Sequence, residues 1–506
     1  MRYLKHLLVV ALCLTATFFS RSDGFLFSQE LNNADRLRGL SEYVEKKMEE
    51  WKIPGMAIGV IQNNNVLFLK GIGFKDISEK LPVTPQTLFG IASISKTFTA
   101  AAVGILCDEK KLGWNTPVIE YVPDFRLYDE YATVHATPRD LLSHRTGLSS
   151  YNDLMVYVWP YERDEIYKRL RYLKPSLSFR ERYQYSNVSF VTAGTIVGKL
   201  SGRSWEDFVE NKILKPLRMN DSNFSLQIKD VADFSYPYQY ENGQYVKVPF
   251  RDRPAGNPSG GINSSASEML NWLKMHLNKG QFDNQQILSA TSMDYIKNPV
   301  IFRSYSEAKQ WPPMISSAMG WDCQFYSGYR LLTKGGVIDG FSGFISFMPQ
   351  EKIGIVVLAN NREAYGLAHY LNFYIYDQLL DLKESPWDKL IEDEKPKYPT
   401  SSDKPGQEPE TESEKMLYPL EKYSGSYVHE AFRKAAVYVE NGELQLNFNK
   451  SLVWPLEHCF YNVFQSEFSG APIRVEFNLD IQGNVTSLEI QIVGTDFNIV
   501  FNKNAG

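Results

Sequence analysis

The spacing of apolar and polar residues predicts strands at both ends of the first 385 residues and helices between them. Helical periodicity is found at Arg36–Trp51, within Thr87–Cys107, and at Trp205–Ile213, Ser265–Leu277 and Gly366–Leu380. Apolar runs of strand length occur at Met56–Ile61, Val66–Lys70, Tyr329–Leu332, Gly343–Met348 and Ile353–Ala359. This order predicts an α+β fold in which an antiparallel sheet closes by pairing the two ends of the segment.

The pattern changes after residue 385, which divides the chain into predicted domains. Residues 23–385 carry the α+β pattern, and 386–416 form a stretch rich in Pro, Ser, Glu and Lys, predicted to be a solvated linker. From 417 to 506 short alternating strands return, with the hairpin turns "ENGE" and "IQGN". The tail is therefore predicted to be a small antiparallel β-domain, a barrel or a sandwich.

The N-terminus has the organisation of a secretory signal peptide, predicted to comprise residues 1–22. Arg2 and Lys5 precede the apolar run Leu7–Phe19, which is shorter than the roughly 20 residues that a membrane-spanning helix needs. A retained anchor is the alternative. No other run approaches spanning length, so the mature protein is expected to be secreted, without a stable membrane span.

Sequons and cysteines are consistent with this route but weak individually. Glycosylation candidates are Asn220, Asn223, Asn263, Asn449 and Asn484. Cys107 is predicted to be a buried free thiol, and a bridge between Cys323 and Cys459 is left open.

Composition and motifs exclude several classes of function. With a net charge of -5, the chain has no excess of basic residues to attract nucleic acid, so no nucleic-acid partner is expected. The chain lacks His-x-x-x-His and clustered Cys and His, so neither a metal nor another cofactor is predicted. It also lacks the Gly-x-Ser-x-Gly pattern of α/β-hydrolases.

The stretch "FGIASISKTFTAAAVGI" places a serine and a lysine where a strand passes into a helix. Ser93 lies at the predicted helix N-terminus, which offers free N–H groups, and Lys96 lies one turn further on the same face. This suits a nucleophile and its proton partner. The same pattern recurs at Ser306/Lys309 and Ser401/Lys404, so alone it also fits a helix start with a polar cap.

A second candidate group is "YSN", directly before an apolar helix. Tyr185 could act as a base if nearby cations lower its pKa, which is normally near 10. Asn187 would offer its amide to the substrate and hold Lys96, although Asn187 is itself a sequon. The Tyr-x-Asn pattern recurs at Tyr240/Asn242 and Tyr370/Asn372.

The third group is "TKGGVIDGFSGF", next to the strand Gly343–Met348, which is predicted to be edge-like. The Lys334 ammonium could hold a carboxylate or polarise Tyr185, and Gly336 lets a substrate backbone approach closely. The Val337 N–H, together with the Ser93 N–H, could form an oxyanion hole.

With these groups in this order, the chain resembles the serine β-lactamase-like hydrolases: class C β-lactamases, D-alanyl-D-alanine carboxypeptidases, esterases of the same fold and animal β-lactamase-like proteins. Their motifs are Ser-x-x-Lys, Tyr-x-Asn and Lys-Thr-Gly or His-x-Gly. The segments "PRDLLSHRTGLSSY" and "NPSGGINSSASEMLNWL" also look like family segments. The resemblance covers about 37–382, and the tail resembles a β-domain appended to many members.

The resemblance implies that Ser93 is acylated, that Lys96 is its proton partner and that Tyr185 is the general base and later the acid. Whether lysine or tyrosine takes the first proton stays open. Lys334 would bind substrate or tune Tyr185, whereas the position of His144 is structural in the family. Gly335 stands where β-lactamases have threonine, which argues against antibiotic hydrolysis and favours an esterase or peptidase-like activity.

Two functions therefore compete. The first is a secreted serine hydrolase that acts through an acyl-enzyme on an ester or amide of a small molecule or peptide. The second is a non-catalytic extracellular matrix protein, since proteins resembling this chain occur in mollusc shell. The sequence specifies neither the substrate nor the oligomeric state.

Overall fold

A computed structural model describes residues 35–150, 154–157, 161–305, 314–382, 385–396, 416–449, 452–468, 471–492 and 498–504. The predicted signal peptide 1–22 and the motif copies Ser306/Lys309 and Ser401/Lys404 lie outside these residues.

The described residues form fourteen α-helices and twenty-four strands. The helices are α1 (Leu40–Glu50), α2 (Ser95–Asp108), α3 (Val118–Tyr121), α4 (Glu130–His135), α5 (Pro138–Leu142), α6 (Leu154–Tyr157), α7 (Arg163–Arg169), α8 (Asn187–Ser201), α9 (Trp205–Val209), α10 (Asn257–Gly260), α11 (Ala266–Leu277), α12 (Ala290–Lys297), α13 (Ala364–Leu380) and α14 (Trp387–Asp393). The strands of the first domain are β1 (Gly55–Gln62), β2 (Asn65–Asp76), β3 (Leu81–Pro82), β4 (Phe89–Gly90), β5 (Asn223–Phe224), β6 (Tyr238–Glu241), β7 (Gln244–Lys247), β8 (Ile262–Ser264), β9 (Gln281–Phe282), β10 (Gln285–Gln286), β11 (Ile301–Tyr305), β12 (Met314–Ser317), β13 (Asp322–Tyr326), β14 (Tyr329–Ile338), β15 (Phe341–Met348) and β16 (Ile353–Ala359). Those of the tail are β17 (Gly425–His429), β18 (Arg433–Glu440), β19 (Glu443–Asn449), β20 (Leu452–Phe460), β21 (Val463–Phe468), β22 (Ala471–Leu479), β23 (Val485–Ile492) and β24 (Asn498–Lys503).

A nine-stranded antiparallel sheet organises the first domain, in the order β11-β12-β13-β14-β15-β16-β1-β2-β3. The N-terminal hairpin joins the late strands through β1, whose Ala57 lies opposite Leu358 of β16. The α+β prediction, with the sheet closed by its two ends, is confirmed. Helices α1 and α13 cover one face, while α2 and α11 lie on the other, so β15 and β16 are buried along their whole length.

Aromatic packing fixes the long helix α2 against the sheet. The Phe98 ring stacks on Trp272 of α11 at a centroid distance of 3.9 Å, and both side chains are completely buried. Because α2 carries Lys96 two residues earlier, this contact also holds the lysine in place.

Replacing Phe98 by alanine is expected to lower the free energy of unfolding by about 3–5 kcal/mol, since it removes buried surface and leaves a cavity. Denaturant unfolding followed by near-ultraviolet circular dichroism measures this change. The matched control is Phe302→Ala, because the Phe302 side chain is 51% exposed and its loss should change stability by no more than about 0.5 kcal/mol. Equal losses in the two variants would contradict the assigned packing.

Three sequence predictions need correction. The Gly343–Met348 strand is central rather than edge-like, because β15 pairs with β14 on one side and β16 on the other. Strand β14 is longer than predicted and includes Lys334. The predicted linker 386–416 begins too early, since α14 buries Trp387 and Ile391 against α13.

The tail is a closed eight-stranded barrel, β17 to β24, which decides between the two predicted architectures. It touches the first domain next to α7, where the Tyr161 hydroxyl donates to the Ala431 carbonyl at 3.0 Å. Two guanidinium groups lie close to the Tyr161 ring, those of Arg169 and Arg433, at 5.3 and 4.6 Å from its centroid. Arg433 also forms an ion pair with Glu165, so hydrogen-bonded and charged contacts join the domains here.

The structure shows the state of three cysteines and the exposure of several sequon asparagines. Cys107, Cys323 and Cys459 are all free thiols. Asn220 and Asn484 are exposed, whereas Asn263 is 1% exposed and donates its amide to Asn223 and Ser225, which argues against a glycan at Asn263. The side chain of Asn449 is outside the described part.

Within the described residues, no helix is both long and apolar enough to cross a bilayer.

Candidate active site

Ser93 lies on a short 3-10 turn, Ala92–Ile94, between β4 and the first residue of α2. Ala92 has a φ of 50°, a left-handed conformation that costs energy in a residue with a side chain and is often retained at functional sites. The turn leaves Ser93 half-buried while its two neighbours are buried. Local strain therefore presents this hydroxyl at the surface of a cleft.

Lys96 is completely buried and surrounded by three oxygen acceptors. Its Nζ lies 3.1 Å from Ser93 Oγ, 2.5 Å from Asn187 Oδ1 and 2.6 Å from the Ser259 carbonyl oxygen. The amide oxygen of Asn187 and the carbonyl oxygen of Ser259 can only accept, so Lys96 donates to both. Its third position can donate to Ser93 as an ammonium or accept from Ser93 as a neutral amine, which makes the lysine a suitable proton partner.

Tyr185 lies on the other side of the serine. Its hydroxyl is 2.6 Å from Ser93 Oγ, and its ring lies 4.9 Å from Lys96 Nζ. The tyrosine directly precedes Ser186, whose hydroxyl caps the N-terminus of α8 by accepting from the Ser189 N–H. This cap fixes the backbone beside Tyr185, and Asn187, the first residue of α8, reaches Lys96 from the same end.

His144 supports the Tyr185 ring. The two rings stack at 4.6 Å, and His144 Nδ1 accepts a hydrogen bond from the Ser186 N–H at 3.0 Å. Burial, together with the nearby Lys334 and Lys96 ammonium groups, lowers the pKa of His144 well below its usual value. A neutral, buried histidine in this position orients the tyrosine, in keeping with the structural role that the sequence implied.

Lys334 lies near the Tyr185 ring. Its Nζ is 5.8 Å from the centroid of the Tyr185 ring, and the residue is only 4% exposed. Burial lowers the pKa of Lys334, an effect that the nearby Asp322 carboxylate opposes. In the part of the chain that the structure describes, no hydrogen bond or ion pair engages this ammonium.

Gly336 brings β14 against the serine. A Cβ at this position would lie 2.4 Å from the Ser93 nitrogen and 2.8 Å from the Ala92 side chain. Strand β13 pairs with β14 only as far as Thr333, so among the described residues 334–338 have a neighbouring strand on one side alone. The Ser93 N–H and the backbone of Val337 therefore border the same cleft, as an oxyanion hole built from these two groups requires.

A methyl group at Gly336 is expected to reduce turnover by about 10²-fold, because a 2.4 Å contact would displace the Ser93 backbone and misalign the reacting atoms. Steady-state kinetics of Gly336→Ala with a chromogenic ester measures the loss. The control is Gly260→Ala, since a Cβ there would come no closer than 3.7 Å to any atom outside its own helix and its chain neighbours. If both variants keep full activity, the close approach of β14 to Ser93 has no catalytic importance.

Sequence reasoning missed three contributors to this region. Ser259, in the segment "NPSGG", offers Lys96 its backbone carbonyl, which a sequence pattern does not reveal. Arg303 of β11 forms an ion pair with Asp322 beside Lys334, and Tyr365 of α13 covers Gly335. The other Tyr-x-Asn copies lie elsewhere: Tyr240 is in the β6–β7 hairpin and Tyr370 is within α13.

The described residues contain no group of three or more His, Cys, Asp or Glu side chains placed to hold a metal ion.

Comparison with known proteins agrees with this arrangement. The Beta-lactamase family model matches residues 40–380, and the model of a domain of unknown function, DUF3471, matches 409–505. The chain therefore belongs to the Beta-lactamase family, and it is a serine hydrolase of that fold. The resemblance inferred from the sequence is confirmed.

Four individual relatives share between 22% and 28% sequence identity with the chain. The chain is 28% identical to unguisins hydrolase ungD' of Aspergillus campestris over 92% of this chain and 91% of that protein. It is 26% identical to protein flp of Staphylococcus aureus over 67% of each chain. Among solved structures, the octameric penicillin-binding protein homologue from Pyrococcus abyssi aligns with a TM-score of 0.61 at 23% identity, covering 92% of this chain and 99% of that one. A class C β-lactamase aligns with a TM-score of 0.57 at 22% identity, covering 70% and 98%. At these identities the solved structures establish the fold alone.

Proposed function

We propose that the protein is a secreted serine hydrolase that acts through an acyl-enzyme on an ester or an amide. The observation that carries the proposal is the position of Ser93 Oγ, which is 2.6 Å from the Tyr185 hydroxyl and 3.1 Å from the Lys96 amine. A serine with two candidate proton acceptors within hydrogen-bond distance is the arrangement that nucleophilic catalysis requires.

The reaction follows from this geometry. Ser93 Oγ attacks the substrate carbonyl carbon while its proton passes to Tyr185 or Lys96. The Ser93 and Val337 N–H groups stabilise the resulting oxyanion. Collapse of the tetrahedral intermediate breaks the bond to the leaving group, which takes up this proton by way of Tyr185 and leaves an acyl ester on Ser93. Water then attacks this ester and gives a proton to Tyr185 or Lys96. Collapse of the second tetrahedral intermediate breaks the ester bond, the proton returns to Ser93 Oγ, and the acid product is released.

Peptide-like or ester substrates are favoured over β-lactams. Gly335 carries no hydroxyl at the position after the lysine, and a relative that matches nearly the whole chain is named as a hydrolase of unguisins. Secretion is supported by the charged and apolar pattern of residues 1–22. A matrix protein without activity would have no need to keep a buried lysine against the serine, so the complete constellation favours the enzyme.

Covalent labelling tests the proposal directly. The secreted protein is treated with a fluorophosphonate, digested, and the adduct is located by mass spectrometry, with protein denatured before labelling as the control. We expect one label per chain, on the peptide that contains Ser93, and none after denaturation. Labelling of a different serine, or no labelling of the native protein, would refute the acyl-enzyme mechanism and favour the matrix alternative. N-terminal sequencing of protein from the culture medium tests cleavage after the signal peptide.

A further inference from the structure

A polar cavity of about 850 Å³ lies at the end of the large sheet away from the catalytic cleft. It is lined by residues of several turns, among them Asn64 between β1 and β2 and Lys352 between β15 and β16. On β15, Gly343 lies opposite Gly336 of the cleft, and the strand from there to Met348 covers about 17 Å before the turn at Lys352 begins. The cavity is therefore separate from the site of the proposed reaction.

Contacts between side chains far apart in the sequence hold the walls of this cavity. Asn64 and Asn278 exchange two amide hydrogen bonds, of 3.4 and 2.8 Å, which join the β1–β2 turn to the end of α11. Arg218 forms an ion pair with Asp283 at 2.6 Å, which ties the β9–β10 turn to a different part of the chain. The lining is therefore organised before any ligand arrives, as in most small-molecule sites.

Three lysines from different segments line the cavity without a counter-charge. Lys274 lies in the last turn of α11, Lys279 in the turn that follows this helix, and Lys352 between β15 and β16. Among the described residues, none of their ammonium groups forms a hydrogen bond or an ion pair. The one acidic residue of the described lining, Asp283, is already paired with Arg218. Like charges gathered in one cavity repel each other, and a bound anion would relieve that repulsion.

The helix dipole accounts for one of these lysines at most. The C-terminal end of α11 favours a cation at Lys274, which lies in its last turn. Lys352 comes from a strand turn and gains nothing from that helix end. The joint position of the three ammonium groups around one cavity therefore needs a different reason.

The rest of the lining is rich in amides and poor in accessible apolar surface. Asn271, Gln281 and Asn284 carry groups that both donate and accept hydrogen bonds, which suits the hydroxyls of a sugar. Leu277 and Phe282 also line the cavity, but they are only 5% and 7% exposed. An apolar ligand would make little contact here, and the described lining offers no exposed aromatic ring on which a nucleic-acid base could stack.

We propose that this cavity binds an acidic carbohydrate, whose anionic groups contact Lys274, Lys279 and Lys352 and whose hydroxyls contact the amides. The three cations come from three segments around a cavity far larger than one small anion, so a ligand with several anionic groups engages them together. Sulfate and carboxylate groups share the required chemistry. The inference goes beyond the proposed hydrolase reaction and does not depend on it, because the cavity lies outside the catalytic cleft.

Isothermal titration calorimetry of the full-length protein with four probes tests the ligand class. The probes are a sulfated heparin hexasaccharide, a hyaluronan hexasaccharide that carries carboxylates alone, neutral maltohexaose and a single-stranded DNA hexamer. We expect at least one of the acidic sugars to bind, with an affinity that falls as salt is added, and the neutral sugar and the DNA not to bind. Comparison of the two acidic sugars identifies the recognised group as sulfate or carboxylate.

A triple variant, Lys274→Gln with Lys279→Gln and Lys352→Gln, tests the location. It is expected to weaken binding of the acidic sugar at least about 10-fold, because three ionic contacts are lost. The matched control makes the same exchange at three lysines that do not line the cavity: Lys52, Lys80 and Lys229. The control should keep the affinity within about twofold, because distant surface charges are largely screened by salt. Thermal unfolding verifies that both variants are folded.

Three results would overturn the inference, whatever the ester assays show. The first is undetectable binding of both acidic sugars at about 1 mM. The second is binding of the neutral sugar or of DNA as tight as that of the acidic sugars. The third is a cavity variant that binds as tightly as the unaltered protein or loses no more affinity than the control variant.

Discussion

Ser93→Ala is expected to lower kcat/KM for any ester or amide substrate by at least about 10⁴-fold, because it removes the oxygen that forms the acyl ester. The serine is half-buried, and among the described residues its hydroxyl forms hydrogen bonds with Tyr185 and Lys96. The variant should therefore fold normally. Steady-state kinetics and thermal unfolding, measured on the same preparation, separate loss of chemistry from loss of structure.

The matched control is Ser401→Ala, which removes a serine from another Ser-x-x-Lys pattern of the same chain. We expect this variant to keep full activity. A Ser93→Ala protein that retains more than about 1% of the original turnover would exclude Ser93 as the nucleophile, since removing a catalytic serine costs far more than that. Activity would then have to come from another site or from a contaminant.

Lys96→Met is expected to lower kcat/KM by about 10³-fold or more, because the serine loses one of its two proton partners and the cation that stabilises its alkoxide. Methionine approximately keeps the volume of the lysine stem, so the packing of α2 is largely preserved. The Asn187 and Ser259 oxygens would lose a buried donor, which we expect to cost about 1–3 kcal/mol in the free energy of unfolding. Kinetics and denaturant unfolding measure the two effects separately.

Lys404→Met serves as the control for the lysine, and we expect it to change neither quantity. A Lys96→Met variant with activity within about tenfold of the original would show that Tyr185 alone accepts the proton, since general-base removal typically costs 10²–10⁴-fold. Tyr185→Phe provides the complementary measurement. Whichever variant abolishes acylation, while the other mainly slows release of the acyl group, identifies the first proton acceptor.

The sequence by itself determined the fold class and the order of the motifs, because periodicity and helix-start signals are local. A short stretch of consecutive residues is enough to predict the helix after Ser93, the β1–β2 hairpin and the alternating strands of the tail. Local signals cannot distinguish three copies of the same motif. The choice of Ser93 among the three Ser-x-x-Lys copies therefore depends on its place at a helix start and on the order of the motifs along the chain. Element lengths were less certain, and Lys334 proved to lie within β14 rather than after it.

Tertiary structure alone decided which groups meet. The Ser259 carbonyl reaches Lys96 across 163 residues, and Tyr365 covers Gly335 from a helix that begins after two further strands. A backbone carbonyl has no signature in the sequence, and a helical tyrosine looks the same whether it faces a cleft or a neighbouring chain segment. Contacts between residues that are far apart in the sequence depend on how the strands and helices pack, which local sequence patterns do not specify. The sequence therefore identified the reacting groups, while packing of the strands and helices determined what holds them.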